Sequence, residues 1–190
     1  MLKSLEREKI KKRDLLLIKS VLAGNKEAFA KLMTFYKNRI FIFGKSFFHN
    51  DSDSEDFVQD VFIKVYTHLD SFQGKSMFST WLMRIAYTTA INSVNRKKES
   101  LNLEDETIIP DDSTNNPEEK QIRKITQSAI NEAISELPEQ YKICVEMYFY
   151  YDISYQEISE ITEFPLNTIK SHIFRAKKIL KNKLEDYYGK

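Results

Sequence analysis

The stretch SYQEISEITEFPLNTIKSHIFRAKK, residues 154–178, decides the fold class of this chain. Its first four residues read Ser-x-x-Glu, the pattern of a capping box, so a short helix should begin there and run to about Ile161. A turn containing Pro165 follows, and Asn167 can cap a last helix. Two helices joined by such a turn form a helix-turn-helix, in which the second helix enters the major groove of DNA.

The last helix has two unlike faces. Its inner stripe consists of the apolar residues Ile169, Ile173, Ala176, Leu180 and Leu184. The opposite face carries cations, a hydroxyl and an aromatic ring, namely Lys170, Ser171, Phe174, Arg175, Lys178 and Lys181. Lys and Arg can reach phosphates or guanine edges, and Phe174 can touch a thymine methyl group. The alternative is a solvated basic face on a terminal amphipathic helix, but the aromatic residue among the cations favours DNA.

Helical periodicity extends over most of the chain, and the sequence contains only four glycines, too few for strands joined by tight turns. We therefore predict an all-α fold, with helices over about 14–22, 25–48, 55–69, 78–98 and 122–137 and a further helix that starts at Pro138. The expected buried residues are Ala28, Phe29, Leu32, Phe35, Tyr36 and Ile40 in the second helix, Val58, Val61, Phe62, Val65 and Leu69 in the third, and Tyr141, Cys144, Val145 and Phe149 after Pro138. Asn25 can cap the second helix, and one polar residue of 49–54 should cap the third.

The segment 99–120 interrupts the helical pattern, because acids accumulate there and two prolines block regular structure. We predict a flexible acidic linker over this segment, joining two small helical domains at 14–98 and 121–187, of which the second contains the helix-turn-helix. The basic segment 1–13 has few apolar residues to bury, so it is either a mobile tail or a fraying extension of the first helix.

Composition narrows the class of protein further. The 190 residues are 42% hydrophobic and 30% charged, which indicates a folded, soluble chain. The longest apolar run near the start, Leu15 to Ile18, is too short for an export signal or a membrane span. Cys144 is the only cysteine, so no intrachain disulfide can form, and we expect a cytoplasmic protein without membrane insertion. The net charge of only +1 argues against a nucleic-acid binder. The charge is unevenly distributed, however, because residues 168–183 contain several cations and no acid, so this segment is locally basic.

A second candidate site lies at 72–81, FQGKSMFSTW, where a flexible polar loop adjoins aromatic residues. The helix behind it ends in the basic run 95–98. Single-stranded DNA binding needs such parts, a pocket for an unstacked base and cations along the backbone. The alternative places Phe78 and Trp81 in the core and lets the basic run stabilise a helix C-terminus. Because large aromatic side chains are usually packed in a core, the residues alone favour this second interpretation.

Three carboxylates, Glu55, Asp56 and Asp60, can share one helix face. No histidine lies close enough to complete a mixed metal site, since His68 is two turns beyond. A compact helical bundle also offers little room for a carboxylate cleft of the glycosidase kind. We therefore expect no catalytic residue, metal or cofactor, and we assign structural roles to Cys144 and the three histidines.

Two stretches together resemble the extracytoplasmic-function (ECF) sigma factors of the sigma-70 family. Residues 54–66, SEDFVQDVFIKVY, with the Phe-x-Gly loop and TWLMRIA at 80–86, are similar to region two, and residues 137–177 are similar to region four. The resemblance covers nearly all of 14–184. It implies a non-catalytic subunit that binds core RNA polymerase and gives it promoter specificity.

The resemblance assigns a role to each candidate surface. Docking on the clamp helices of the polymerase would fall to Asp56, Gln59, Asp60 and Lys64. The single-stranded non-template strand of the minus-ten element would contact Phe72, Gln73, Gly74, Lys75, Ser76, Phe78, Trp81, Arg84, Thr88, Asn92 and Arg96. The duplex minus-thirty-five element would contact Thr168, Lys170, Ser171, Phe174, Arg175 and Lys178. The linker would lead toward the RNA exit path, and an anti-sigma factor would mask the two domains.

The chain departs from the family pattern at Thr88, Asn167 and His172, where many relatives carry Asn, Gly and Arg respectively. By the resemblance, the histidine would weaken one phosphate contact at neutral pH, where it is mostly uncharged. Two other functions compete with a sigma factor. A stand-alone helix-turn-helix regulator would leave the Asp56 face and the Gly74 loop without a task, and a small helical enzyme would need a carboxylate cleft.

Overall fold

The computed structural model describes residues 2–100, 130, 133–134 and 136–188, with the side chains of 5–96, 130, 133–134 and 136–185. The chain divides into two compact units, Met1–Pro110 and Asp111–Lys190. All regular structure in the described residues is helical, as predicted. None of the described helices is long and apolar enough to cross a membrane. Residues 101–120 of the predicted linker and most of the predicted helix 122–137 lie outside the described residues.

The first unit, where described, contains four α-helices and one short 3-10 turn. They are α1, Leu2–Leu22; α2, Lys26–Phe48; α3, Asp51–Thr67; the 3-10 turn, Leu69–Ser71; and α4, Phe78–Ser100. Since α2 packs against each of the other three helices, it forms the centre of the unit. The side-chain oxygen of Asn25 accepts a hydrogen bond from the Ala28 N–H at 3.1 Å, which confirms the predicted cap of α2.

The start of α3 is set by Asn50, one of the polar residues of 49–54. Its side-chain oxygen accepts a hydrogen bond from the Asp53 N–H at 2.8 Å. Because the cap lies this early, α3 begins at Asp51 and not at about residue 55 as predicted. The apolar residues expected to line this helix are buried, and Phe57 joins them.

Two features of α1 and α2 differ from a simple amphipathic pattern. α1 extends back to Leu2, so residues 2–13 continue the helix and do not form a separate tail. Phe35 was predicted to be buried, but 52% of it is exposed. The guanidinium carbon of Arg13 lies 3.8 Å from the centre of the Phe35 ring, so a cation–π contact covers a ring that the core does not.

Residues 130 and 133–134 of the second unit are helical, and three helices with described bounds follow them. They are α5, Glu139–Phe149; α6, Tyr155–Thr162; and α7, Leu166–Tyr188. α7 packs against both of the others. Ile169 and Ile173 of its apolar stripe are buried as predicted, together with Cys144 and Val145 of α5. The core of the second unit therefore lies beneath the last helix.

Two predictions about α5 are wrong. Pro138 precedes the helix and is not its first residue. Phe149 was expected on the inner face, but it is 54% exposed, because Ile143 and Met147 occupy that face instead. The buried stripe of α5 is thus rotated relative to the one that the sequence predicts.

The predicted cap of α7 is also wrong. The helix begins at Leu166, and Asn167 is already its second residue. The carbonyl of Pro165 accepts hydrogen bonds from the N–H groups of Thr168 at 2.8 Å and Ile169 at 3.1 Å. The carbonyl of Pro165 thus accepts the first hydrogen bonds of α7, as the residue before a helix does, and Asn167 lies inside the first turn.

Candidate nucleic-acid interface

The helix-turn-helix is held in shape by hydrogen bonds at both ends of α6. At its start, the Ser154 N–H donates to Glu157 Oε2 at 2.9 Å, and Ser154 Oγ accepts from the Glu157 N–H at 3.3 Å, which confirms the predicted capping box. At its end, Glu163 adopts a left-handed backbone with φ of 62°. There Ser159 Oγ donates to the carbonyl of Phe164 at 2.6 Å. The capping box fixes the start of α6, and the bond from Ser159 to Phe164 stabilises the turn into α7.

The outward face of α7 carries the residues predicted to meet duplex DNA. The exposed members are Lys170, Ser171, Phe174, Arg175 and Lys178. Thr168 is half-buried. Phe174 is 71% exposed among the cations, so its ring is available for an apolar contact such as a thymine methyl group.

His172, in contrast, lies inside the second unit. Only 9% of it is exposed, and its ring centre is 4.9 Å from that of Tyr141 and 5.9 Å from that of Phe164. Its Nδ1 is 3.8 Å from Cys144 Sγ. The ring therefore faces the core, and the altered phosphate contact that the resemblance implied at this position does not arise. Burial, and secondly the charge of Arg175, lower the pKa of His172 from its ordinary value.

Cys144 lies in the same core and has no solvent-exposed surface. Burial raises the pKa of its thiol to about 11, so the thiol stays protonated and unreactive at neutral pH. Among the described residues, no group of three His, Cys, Asp or Glu side chains could hold a metal ion.

Arg175 makes one contact that the sequence did not predict. Its Nη1 donates a hydrogen bond to the phenol oxygen of Tyr141, on α5, at 3.3 Å. The sequence assigned Tyr141 to the inner face of α5, and in the structure this residue is half-buried with its hydroxyl at the surface. The Tyr141 ring is thus partly buried, while its hydroxyl binds Arg175 on the outward face of α7.

In the first unit, the loop before α4 turns at Gly74, which has a φ of +69° that favours glycine. Beside it, the rings of Phe72, Phe78 and Trp81 lie with their centres 5.4 to 5.8 Å apart. Phe78 is 1% exposed, so it belongs to the core and cannot stack on a base. Phe72 and Trp81 are half-buried and each keeps a solvent-facing part. Of the polar loop residues, Gln73 and Lys75 are exposed and Ser76 is half-buried.

A groove of about 320 Å³ lies between the end of α3 and α4. Its lining residues are Lys64, His68, Ser71, Trp81, Arg84, Ile85, Thr88 and Thr89. Three of these, Trp81, Arg84 and Thr88, were predicted to meet the minus-ten strand. Two more residues of that set, Asn92 and Arg96, are exposed further along α4. Cations beside an aromatic wall are the parts from which single-strand sites are built.

Lys64 also belongs to this groove, because its Nζ donates a hydrogen bond to Thr89 Oγ1 on α4 at 3.1 Å. The other three predicted docking residues, Asp56, Gln59 and Asp60, are exposed on α3. Lys64 therefore lies at the edge of that polar face and reaches toward the DNA candidates. A sequence pattern on α3 alone could not show which neighbour Lys64 meets.

A second groove, of about 550 Å³, lies between α2 and α3 next to Gln59. Its apolar lining is Phe29, Met33, Phe62, Ile63 and Tyr66. Ile63 is 63% exposed and Tyr66 is 51% exposed, and neither was a predicted site residue. In the sequence, Ile63 and Tyr66 could have been recognised as an apolar pair, three residues apart, that lies outside the buried stripe of α3 and is therefore exposed.

Comparison with known proteins identifies the family. The family model for Sigma-70 region 2 matches residues 32–100, and the model for Sigma-70, region 4 matches residues 127–180. The chain is also 31% identical over 188 residues to the ECF RNA polymerase sigma factor SigW of Bacillus subtilis, with 93% of this chain and 97% of that protein covered. The chain belongs to the ECF sigma factors. The predicted family and the predicted function, an RNA polymerase sigma factor, are confirmed.

Other relatives of this sigma factor agree. The ECF RNA polymerase sigma-E factor of Haemophilus influenzae is 32% identical over 183 residues, which covers 90% of this chain and 95% of that one. The structure of CnrH with the cytosolic domain of CnrY matches with a TM-score of 0.66 and 18% identity, over 92% of this chain and 98% of that one. RpoE of Bartonella quintana, in complex with the anti-sigma factor NepR, matches with a TM-score of 0.66 and 20% identity, over 83% of this chain and 96% of that one. These two structures share the all-α fold of the sigma factor.

Proposed function

We propose that this sigma factor is a non-catalytic, cytoplasmic subunit that binds core RNA polymerase and selects a promoter with both of its units. The observation that carries the proposal is the outward face of α7, where Lys170, Phe174 and Arg175 stand exposed on a helix-turn-helix. A cationic helix with an exposed ring suits the major groove, in which phosphates, base edges and thymine methyl groups are all within reach.

The second unit, centred on 121–187, reads the duplex minus-thirty-five element through α7. Lys170, Arg175 and Lys178 supply charge to phosphates or guanine edges, and Ser171 and Thr168 supply hydroxyl groups. The His172 ring supports this face from the core and makes no contact with DNA.

The first unit, centred on 14–98, holds the non-template strand of the minus-ten element after the duplex opens. The strand follows the groove between α3 and α4, where Arg84 and Lys64 meet phosphates and the exposed edge of Trp81 meets a base. The Gly74 loop follows Phe72, whose ring lies 5.4 Å from that of Trp81 in the groove lining, and this loop provides the pocket for a flipped base. Promoter opening then depends on capture of a single strand, with no bond made or broken by the sigma factor.

The clamp helices of the polymerase dock on α3. Asp56, Gln59 and Asp60 give this face its polar part, and the neighbouring groove with exposed Ile63 and Tyr66 gives it an apolar part. Interfaces combine a desolvated apolar patch with a polar rim, and this face of α3 has both.

The two units select a promoter jointly through the linker 99–120. Once polymerase fixes the separation of the two units, the second unit binds DNA without a new association cost. Two units that each bind DNA weakly can therefore select a promoter together. Two similar structures contain an anti-sigma partner or a cytosolic partner domain. We include an anti-sigma factor that masks the DNA faces among the partners of this chain.

Co-elution with core RNA polymerase on a sizing column tests the proposal. The wild-type chain should co-elute and direct transcription from defined start sites, which sequencing of the transcripts identifies. A variant with both Asp56→Ala and Asp60→Ala should bind core at least about thirtyfold more weakly, because loss of interface charges costs about 2 kcal/mol or more. Asp70→Ala, which removes an exposed acid outside the docking face, is the matched control. Free wild-type chain that binds duplex promoter DNA but never core polymerase would support a stand-alone regulator instead.

A further inference from the structure

The bond between Arg175 and Tyr141 joins the DNA face to the helix behind it. Arg175 lies on the exposed side of α7, and Tyr141 lies on α5, 34 residues earlier in the chain. The guanidinium Nη1 donates to the phenol oxygen at 3.3 Å. An exposed arginine otherwise samples many rotamers, and it loses this freedom when it binds a partner. A hydrogen bond in the free protein removes part of that loss in advance.

Tyr141 is itself held in place from the inside. Its ring centre lies 4.9 Å from that of the buried His172. His172 in turn packs edge-on against Phe164 in the turn of the helix-turn-helix and lies 3.8 Å from Cys144 of α5. The phenol therefore reaches the surface from a ring that the core fixes. Such a fixed acceptor can orient a mobile guanidinium.

We infer that Tyr141 is a positioning residue for promoter recognition, and that it holds the Arg175 guanidinium in the orientation in which it meets the minus-thirty-five DNA. The inference rests on the proposed role of α7 and adds a residue that lies outside the helix-turn-helix. Tyr141 acts through Arg175 and makes no DNA contact of its own. Its loss therefore weakens binding while the number of cations that face the phosphates stays the same.

A double-mutant cycle on the reconstituted holoenzyme tests the inference. Tyr141→Phe should weaken binding to a promoter fragment about two- to tenfold, the factor expected when one side chain is no longer held in place before binding. The salt dependence should keep its slope in Tyr141→Phe and lose about one unit in Arg175→Ala. Because Tyr141 acts through Arg175, the double variant should bind like Arg175→Ala alone. Additive losses, or unchanged affinity of Tyr141→Phe, would overturn the inference.

A measurement on the free chain separates this inference from the proposed function. The NMR order parameter of the Arg175 Nε–H group should fall in Tyr141→Phe, because the guanidinium loses its acceptor. Tyr148→Phe removes a hydroxyl from the same helix, where the ring pairs with Tyr155 at 4.6 Å, and should leave the Arg175 order parameter unchanged. An unaltered order parameter in Tyr141→Phe refutes positioning whether or not the holoenzyme selects promoters. A wild-type holoenzyme that shows no promoter selectivity would instead refute the proposed function.

Discussion

Tyr36 donates a hydrogen bond from its phenol to Asp14 Oδ2 at 2.5 Å, and this contact ties α1 to α2. Asp14 is only 1% exposed, and Arg13 Nη2 donates to its other oxygen at 2.7 Å. A buried carboxylate needs such partners, because an unpaired charge in the protein interior is costly. The contact also anchors the part of α1 that precedes Asp14. From composition alone, this segment could have been either a mobile tail or an extension of the helix.

Removal of the Tyr36 hydroxyl should therefore destabilise the first unit. We expect Tyr36→Phe to lower the free energy of unfolding by about 1.5–3 kcal/mol, the value of a hydrogen bond to a charged group. Urea unfolding followed by the fluorescence of Trp81, the only tryptophan of the chain, measures this change. Tyr66→Phe, at a tyrosine that is 51% exposed, should change the midpoint little. Equal losses in the two variants would contradict the role of the Asp14 contact.

The same contact should make stability depend on alkaline pH. Burial, and secondly the hydrogen bond to Asp14, raise the pKa of Tyr36 well above its ordinary value of 10.0. Because the folded state holds the neutral phenol, this stabilisation is complete below the unfolded pKa and is lost as pH rises above it. The stability advantage of the wild type over Tyr36→Phe should thus shrink from about pH 10 upward, over the interval between the unfolded pKa and the raised folded pKa. An advantage that stays constant over this interval would disprove the linkage.

Gly44 permits the close approach of α2 and α3. A Cβ atom built on Gly44 would lie 2.7 Å from Phe57 Cδ1, well inside van der Waals contact. We expect Gly44→Ala to destabilise the first unit by about 1–3 kcal/mol, the usual cost of overpacking. Adding Phe57→Leu to Gly44→Ala should recover much of the lost stability, because it removes the ring edge that the new Cβ atom would contact. Urea midpoints of the single and double variants measure both effects, and no recovery would place the cost elsewhere.

Local signals explain which parts of the fold could be predicted. Asn25 and the Ser154 capping box act within three residues, so the sequence contains all of the interaction. Phe35 and Phe149 were predicted to be buried and are exposed, because periodicity gives the angle of a residue around its helix but not what covers it. Cations from other helices lie over these rings, and the Lys177 Nζ is 5.2 Å from the centre of the Phe149 ring.

The same distinction applies to the candidate sites. The outward face of α7 could be predicted because one helix carries all of it. The groove between α3 and α4 could not, since the contact of Lys64 with Thr89 joins residues 25 apart in the chain. Nothing in the local pattern around Tyr141 indicates a partner at Arg175. Packing between helices decides these contacts, and a single sequence does not encode them in a readable spacing.

We expect Lys64 to distinguish the polymerase-docking face from the groove in which promoter opening is proposed to occur. Its Nζ lies in the groove with Trp81 and Arg84, so Lys64→Ala should reduce the yield of open complex several-fold while core affinity changes less than it does in Asp56→Ala. Permanganate reactivity of unpaired thymines measures opening, and competition against labelled wild-type chain measures core affinity. A Lys64→Ala variant with the core-binding loss of Asp56→Ala and normal opening would return Lys64 to the docking face.

His172 should make the second unit sensitive to acid. Burial lowers its pKa from 6.5, so the folded state favours the neutral ring. A group with a lowered folded pKa contributes stability above its unfolded pKa, and that stability is lost as pH falls through the folded value. A proton on this ring would place a charge beside Tyr141, Cys144 and the guanidinium of Arg175, where no carboxylate contact is present among the described neighbours.

Amide hydrogen exchange at Ile173, corrected for intrinsic rates, should therefore accelerate below about pH 6 in the wild type. His172→Gln removes the titrating group and should show the same protection on both sides of this pH; acid sensitivity that survives in His172→Gln would assign it to another residue.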